Sequence, residues 1–108
     1  MEIVKIFKSL EEANKMVLPQ SIRLLKIGEK RICLINQDNN FHAIDDKCPH
    51  MGAPLHQGKL NGFGEVICPL HEYRFNVQTG TECANKCDDV KNYKVIANEE
   101  GVFIELPV

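Results

Sequence analysis

Four residues in this chain are of types that hold metals, and they stand in two short groups: Cys48-Pro49-His50 and Cys68-Pro69-Leu70-His71. Residues 51 to 67 separate the groups. Each group offers one thiolate and one imidazole, so two loops brought together would present two sulfurs and two nitrogens to one site. Two metal centres accept that donor set. A structural zinc binds it tetrahedrally. A [2Fe–2S] cluster takes two cysteines on one iron and two histidines on the other. Ligand type alone does not separate them, but ligand order does. Zinc motifs usually draw a cysteine pair from one knuckle and a histidine pair from elsewhere, whereas each loop here mixes the two types. Each loop can then set its cysteine on an inner iron and its histidine on an outer, exposed one.

The elements that must position these loops read mostly as short strands. Glu2–Phe7 alternates in polarity, Ser21–Ile27 and Arg31–Asn36 are rich in β-formers, and Gly28-Glu29-Lys30 joins them as a hairpin. Gln37-Asp38-Asn39-Asn40 reads as a second turn before a strand at Phe41–Asp45. Further strands are predicted at Glu65–Cys68, Tyr73–Asn76, Tyr93–Ala97 and Val102–Leu106, with the last turn at Asn98-Glu99-Glu100-Gly101. One helix is expected, from about Leu10 to Met16. Ser9-Leu10-Glu11-Glu12 is a capping-box pattern, and Pro19 blocks continuation. Many short strands with frequent turns indicate an antiparallel all-β domain.

Bulk properties narrow the function classes. At 108 residues the chain fits one domain with its own core. A net charge of −2 gives no argument for nucleic acid or an anionic membrane. The longest apolar runs, such as Val66-Ile67-Cys68, fall far short of a membrane span. Met1-Glu2-Ile3-Val4-Lys5-Ile6 does not read as a secretory signal or transit peptide, so a cytoplasmic protein is expected. The five cysteines (33, 48, 68, 83 and 87) cannot all join one disulfide framework, which points to metal or redox chemistry.

The two groups and their flanks resemble the Rieske family, whose motif is Cys-x-His, a spacer, then Cys-x-x-His. Cys48-Pro49-His50-Met51-Gly52-Ala53-Pro54-Leu55 and Cys68-Pro69-Leu70-His71-Glu72-Tyr73-Arg74-Phe75-Asn76-Val77-Gln78-Thr79-Gly80 look like the two cluster loops of soluble Rieske-type ferredoxins. The resemblance implies an all-β, Rieske-type antiparallel β base with an inserted cluster-binding subdomain from about Asp46 to Gly80. It implies a [2Fe–2S] cofactor bound by Cys48, His50, Cys68 and His71. It also implies a reductase upstream and an oxygenase or other redox enzyme downstream, docking transiently near His50 and His71.

Departures from the family pattern shape further expectations. Ala53 and Leu70 stand where high-potential relatives carry a loop-bridging disulfide. Tyr73 and Phe75 stand where those relatives place hydroxyls that bond to sulfur. Fewer hydrogen bonds to sulfur predict a low potential, near about −150 mV. Glu72 replaces a usual glycine and is expected to be a solvated carboxylate. The 81–90 stretch, which shields the cluster in relatives, lacks its usual proline, so a longer or looser cover is expected. Within it, Cys83 and Cys87 are expected to be spectators. His42 is expected to be a framework residue, His56 a solvated loop histidine and Cys33 a core residue. Met51, Pro54, Leu55, Pro69 and Leu70 are expected to form an apolar shell around the cluster.

The reading is therefore a one-electron carrier rather than an enzyme: no nucleophile–base pair, Gly-rich phosphate loop or second iron site is legible. Two other classes fit the same residues, namely an accessory subunit of a larger redox enzyme such as a nitrite reductase, and a zinc-stabilised interaction module.

Overall fold

The computed structural model describes residues 2–49, 52–70, 72–84 and 87–107. The described elements are β1 (Glu2–Phe7), α1 (Leu10–Met16), β2 (Ser21–Ile27), β3 (Lys30–Gln37), β4 (Asn40–Asp45), a 3-10 turn (Leu55–Gln57), β5 (Lys59–Leu60), β6 (Glu65–Ile67), β7 (Arg74–Asn76), β8 (Asn92–Tyr93), β9 (Val95–Asn98) and β10 (Gly101–Leu106). Every described strand pairing is antiparallel. The helix is bounded as expected. The Glu12 N–H donates to the Ser9 hydroxyl at 3.0 Å, while the Glu12 carboxylate reaches Lys8 at 3.7 Å.

The strands form three sheets, ordered β1-β10-β9, β2-β3-β4-β8 and β5-β6-β7. The second sheet is a wall between two hydrophobic cores, and β3 shows why. Its run Ile32-Cys33-Leu34-Ile35 is fully buried, because successive side chains on a strand point to opposite faces and both faces are covered. Ile32 and Leu34 pack with Phe41, Ala43, Val102, Ile104 and Leu106 against the sheet of the chain ends. Ala13 and Val17 of α1 join that core. Cys33 and Ile35 face the other way, toward Val66 and Phe75 of the small third sheet, Leu55 of the 3-10 turn and Val77 just after β7. That second core also contains Cys48 and Cys68.

A tight turn sets the register between β3 and β4 of the wall. Asp38 and Asn39 between β3 and β4 both take positive φ, 52° and 70°, as a two-residue hairpin turn with matching strand twist requires. The structure differs from the sequence-based expectation at the end of the chain. The strand expected over Tyr93–Ala97 is two strands, with Lys94 between them. β8 pairs with β4 in the wall, and β9 pairs with β10 in the terminal sheet. The chain crosses from one layer to the other at that residue. β5 and the 3-10 turn were not predicted.

Candidate metal centre

Each metal-type cysteine sits just beyond the end of a strand that the core holds rigidly. Cys48 follows β4 and is 0% exposed; Cys68 follows β6 and is 1% exposed. The two loops repeat one backbone geometry. The Cys48 N–H donates to the Ala53 carbonyl at 2.8 Å, and the Gly52 N–H donates back to the Cys48 carbonyl at 2.7 Å. The Cys68 N–H donates to the Tyr73 carbonyl at 2.8 Å, and the Glu72 N–H donates back to the Cys68 carbonyl at 3.0 Å. In both loops the fourth residue after the cysteine is left-handed: φ is +73° at Gly52 and +59° at Glu72. Two loops of one shape thus deliver two thiols into one apolar core. His50 and His71, and Met51 of the expected shell, lie outside the described residues.

The apolar shell differs from expectation. Leu55 is fully buried beside the thiols, but Pro69 is exposed and Leu70 is 57% exposed, both on the outer surface of the second loop. Phe75 is fully buried in the core with the cysteines, and Tyr73 packs against its edge. Cys33 lies in the same core, where burial first and then Asp46 push its thiol up; it is a core residue as expected. His42 is half-buried in β4, with burial lowering its pKa, in keeping with a framework role.

His56 is not the solvated loop residue that was expected. It is half-buried, and its Nδ1 lies 2.7 Å from Asp46 Oδ2, a carboxylate with no solvent exposure. The backbone N–H of His56 donates to the other Asp46 oxygen. Arg31 reaches the same carboxylate at 3.9 Å. The pair spans the first loop from before Cys48 to beyond Leu55, tying its two ends together. A carboxylate two residues before a cysteine and a histidine eight after it was the available signal. A buried Asp needs partners, and only the fold decides that it is buried.

The cover segment is likewise more constrained than its sequence suggests. The Val90 N–H donates to the Gly80 carbonyl at 2.9 Å, and the Cys83 N–H donates to the Arg74 carbonyl at 2.9 Å. Glu82 is 2% exposed, and its N–H donates to Asp89 Oδ1 at 2.9 Å across the loop. Glu82 Oε2 accepts from the Ala84 N–H at 3.1 Å. Cys83 and Cys87 are not joined as a disulfide. Cys83 is exposed and its thiol donates to Glu65 Oε2, whose carboxyl that bond holds below its ordinary value, with help from Asn61 and Arg74. Cys87 is half-buried and packs against the core that contains Cys48 and Cys68.

Two buried thiols converging in one dry core fit a centre that draws thiolates from both loops. The comparisons with known proteins name that centre. The Rieske [2Fe-2S] domain model matches residues 8–94. Apoptosis-inducing factor 3 of Homo sapiens is 36% identical over 84 residues, which is 77% of this chain and 14% of that protein. The 3-phenylpropionate/cinnamic acid dioxygenase ferredoxin subunit of Photorhabdus laumondii is 35% identical over 74 residues, 68% of this chain and 70% of the relative. Among solved structures, the ferredoxin of carbazole 1,9a-dioxygenase from Nocardioides aromaticivorans superposes with a TM-score of 0.80 at 24% identity, covering 96% of this chain and 97% of its own. A complex of reduced oxygenase and oxidized ferredoxin in carbazole 1,9a-dioxygenase gives 0.78 at 26% identity, over 94% of this chain and 91% of the matched one.

The chain belongs to the Rieske [2Fe-2S] domain family. Its fold is all-β and its cofactor is a [2Fe–2S] cluster.

Proposed function

We propose that this chain is a single Rieske domain acting as a ferredoxin-type electron carrier. In this reading Cys48 and Cys68 hold one iron, and His50 and His71 hold the other. Electrons come from a reductase and leave to an oxygenase-type acceptor in the cytoplasm, by transient docking near the two histidines. The observation that carries the ligand assignment is the pair of loops with one backbone geometry, each ending a strand and each burying its cysteine in the same core. The two relatives that function as ferredoxin components of dioxygenases support the choice of partners.

The residues of the chain supply what a small carrier needs. The buried thiols keep one side of the cluster against dry packing, which limits solvent reorganisation. The outer surface of the second loop, Pro69 and Leu70, offers exposed apolar area directly before His71. Small apolar contacts of this kind suit weak, short-lived encounters. Among the described residues no helix is long and apolar enough to cross a membrane. The apolar Phe75 beside the cysteines keeps the expectation of a low midpoint potential, near about −150 mV. A midpoint above about +100 mV contradicts it.

The docking assignment is tested with Leu70→Glu in the cluster-loaded protein. The reading expects the electron-transfer rate to an oxygenase acceptor to fall at least severalfold while the midpoint potential stays put. An unchanged rate overturns the docking patch.

A further inference from the structure

The cover segment carries a thiol for which the assigned ligand set has no use. Gly80 and Val90 close the two ends of this segment by a backbone hydrogen bond, and Gly80 is required there. Its φ is +79°, and a Cβ on it would meet the Val90 carbonyl oxygen at 2.1 Å. Inside the closed loop, Glu82 bridges to Phe75 of β7 and is bonded across to Asp89. Asp89 stands two residues from Cys87. The loop is thus fastened at its base and at its waist, and the fastening turns Cys87 inward while Asp88 and Asp89 stay exposed. Inward means toward the second core, which contains Cys48 and Cys68 and, on the wall side, Cys33.

We infer that Cys87 is the cover-side wall of the cluster pocket and that its thiol donates a hydrogen bond to the cluster's sulfur. This rests on the assignment of Cys48 and Cys68 as ligands. Four thiols meet at one core: Cys33 from the wall strand β3, Cys87 from the cover, and Cys48 and Cys68, which are committed to iron. Cys87 is half-buried, faces that core from the cover side and carries a proton that a sulfur acceptor there can share. At neutral pH a thiol ordinarily keeps that proton. A hydrogen bond to cluster sulfur favours the more negative, reduced state and raises the potential. Cys87 thereby supplies from the cover a donor of the kind that Phe75 cannot supply from the second loop. It is a positioning and tuning residue; it transfers nothing itself.

The test compares Cys87→Ala, Cys87→Ser and Cys83→Ser in the cluster-loaded protein by voltammetry. Cys87→Ala is expected to weaken reduction by roughly three- to tenfold, a drop of up to about 59 mV for one electron. Cys87→Ser, which keeps a donor, is expected to hold the wild-type midpoint or exceed it, and Cys83→Ser to leave it unchanged. A Cys87→Ala midpoint within twofold of wild type, or a Cys87→Ser midpoint that falls with it, overturns the inference. Should Cys87→Ala fail to load, alkylation of the wild-type protein decides. Cys87 is expected to react more slowly with the cluster present than after its removal, and equal rates overturn the inference. Loading of Cys48→Ser tests the underlying assignment separately. Retention of a normal cluster there refutes the ligands, whereas an unmoved potential in loaded Cys87→Ala refutes the role of Cys87 alone.

Discussion

Replacing Glu72 by glycine should make the protein more stable, although it removes a side chain and adds no contact. The backbone at Glu72 sits at φ +59°, where an L side chain crowds its own carbonyl at a cost of roughly 1–2 kcal/mol. Glycine pays no such penalty but gains freedom in the unfolded chain, worth roughly 0.4–1 kcal/mol against it. The net expectation for Glu72→Gly is a gain of about 0.5–1 kcal/mol. The first loop supplies the mirror experiment. Gly52 occupies the equivalent position at φ +73°, and a Cβ there would meet only Lys47 Cε at an ordinary 3.5 Å. Gly52→Ala should therefore lose about 1 kcal/mol from backbone strain alone. Glu72→Gln separates strain from charge, since it keeps the strained backbone and should leave stability unchanged. Urea unfolding of the cluster-loaded protein, followed by far-ultraviolet circular dichroism and by cluster absorption, reads all three variants. If Glu72→Gly is less stable than wild type, or if Glu72→Gln gains as much as it does, the strain argument is wrong.

Other outcomes follow from the same geometry. His56→Ala leaves the buried Asp46 carboxylate short of a partner, so it should cost about 1–3 kcal/mol and hasten cluster loss, measured by the decay of visible absorption. Gly80→Ala forces a Cβ against the Val90 carbonyl at a positive φ and should cost roughly 2–4 kcal/mol in urea unfolding, more than Gly52→Ala. Cys83 has its thiol pushed up to about 11, by burial first and then by the Glu65 carboxylate it bonds. Its contribution to stability is present in full below pH 9.0, the ordinary thiol value, and is lost as pH rises toward about 11. Cys83→Ala should flatten that stretch of the stability profile; an identical decline in the variant would assign it to other groups.

Local chemistry was legible in the sequence, and long-range geometry was not. The family signature, the α1 cap at Ser9 and the longer strands each rest on a few consecutive residues, and the family, the cap and those strands are as the sequence indicated. The apolar run Ile32-Cys33-Leu34-Ile35 even carried the sign of a strand buried on both faces, though not which core each face would meet. The break at Lys94 could not be seen, because Tyr93 and Val95 are both good strand formers and only the layers they pair with tell them apart. β5 has two residues and no periodicity to read. His56 looked solvated because its partner, Asp46, gave no local sign of being buried. Cys87 looked idle for a related reason. Its segment is turned inward by Gly80, Glu82 and Asp89, and those contacts close across up to ten residues of loop. Leu70 was expected to shield and is instead exposed, because the second loop turns that side chain outward once Cys68 turns in.

The most direct test of the central claim is pulsed electron paramagnetic resonance of the reduced protein, read for nitrogen hyperfine coupling. A [2Fe–2S] cluster with Cys48 and Cys68 on one iron and His50 and His71 on the other predicts a one-electron paramagnet coupled to two directly bound imidazole nitrogens, both lost when His50 and His71 are replaced. A reduced cluster with no strongly coupled nitrogen, or a metal-loaded protein that gives no paramagnet at all, would contradict it.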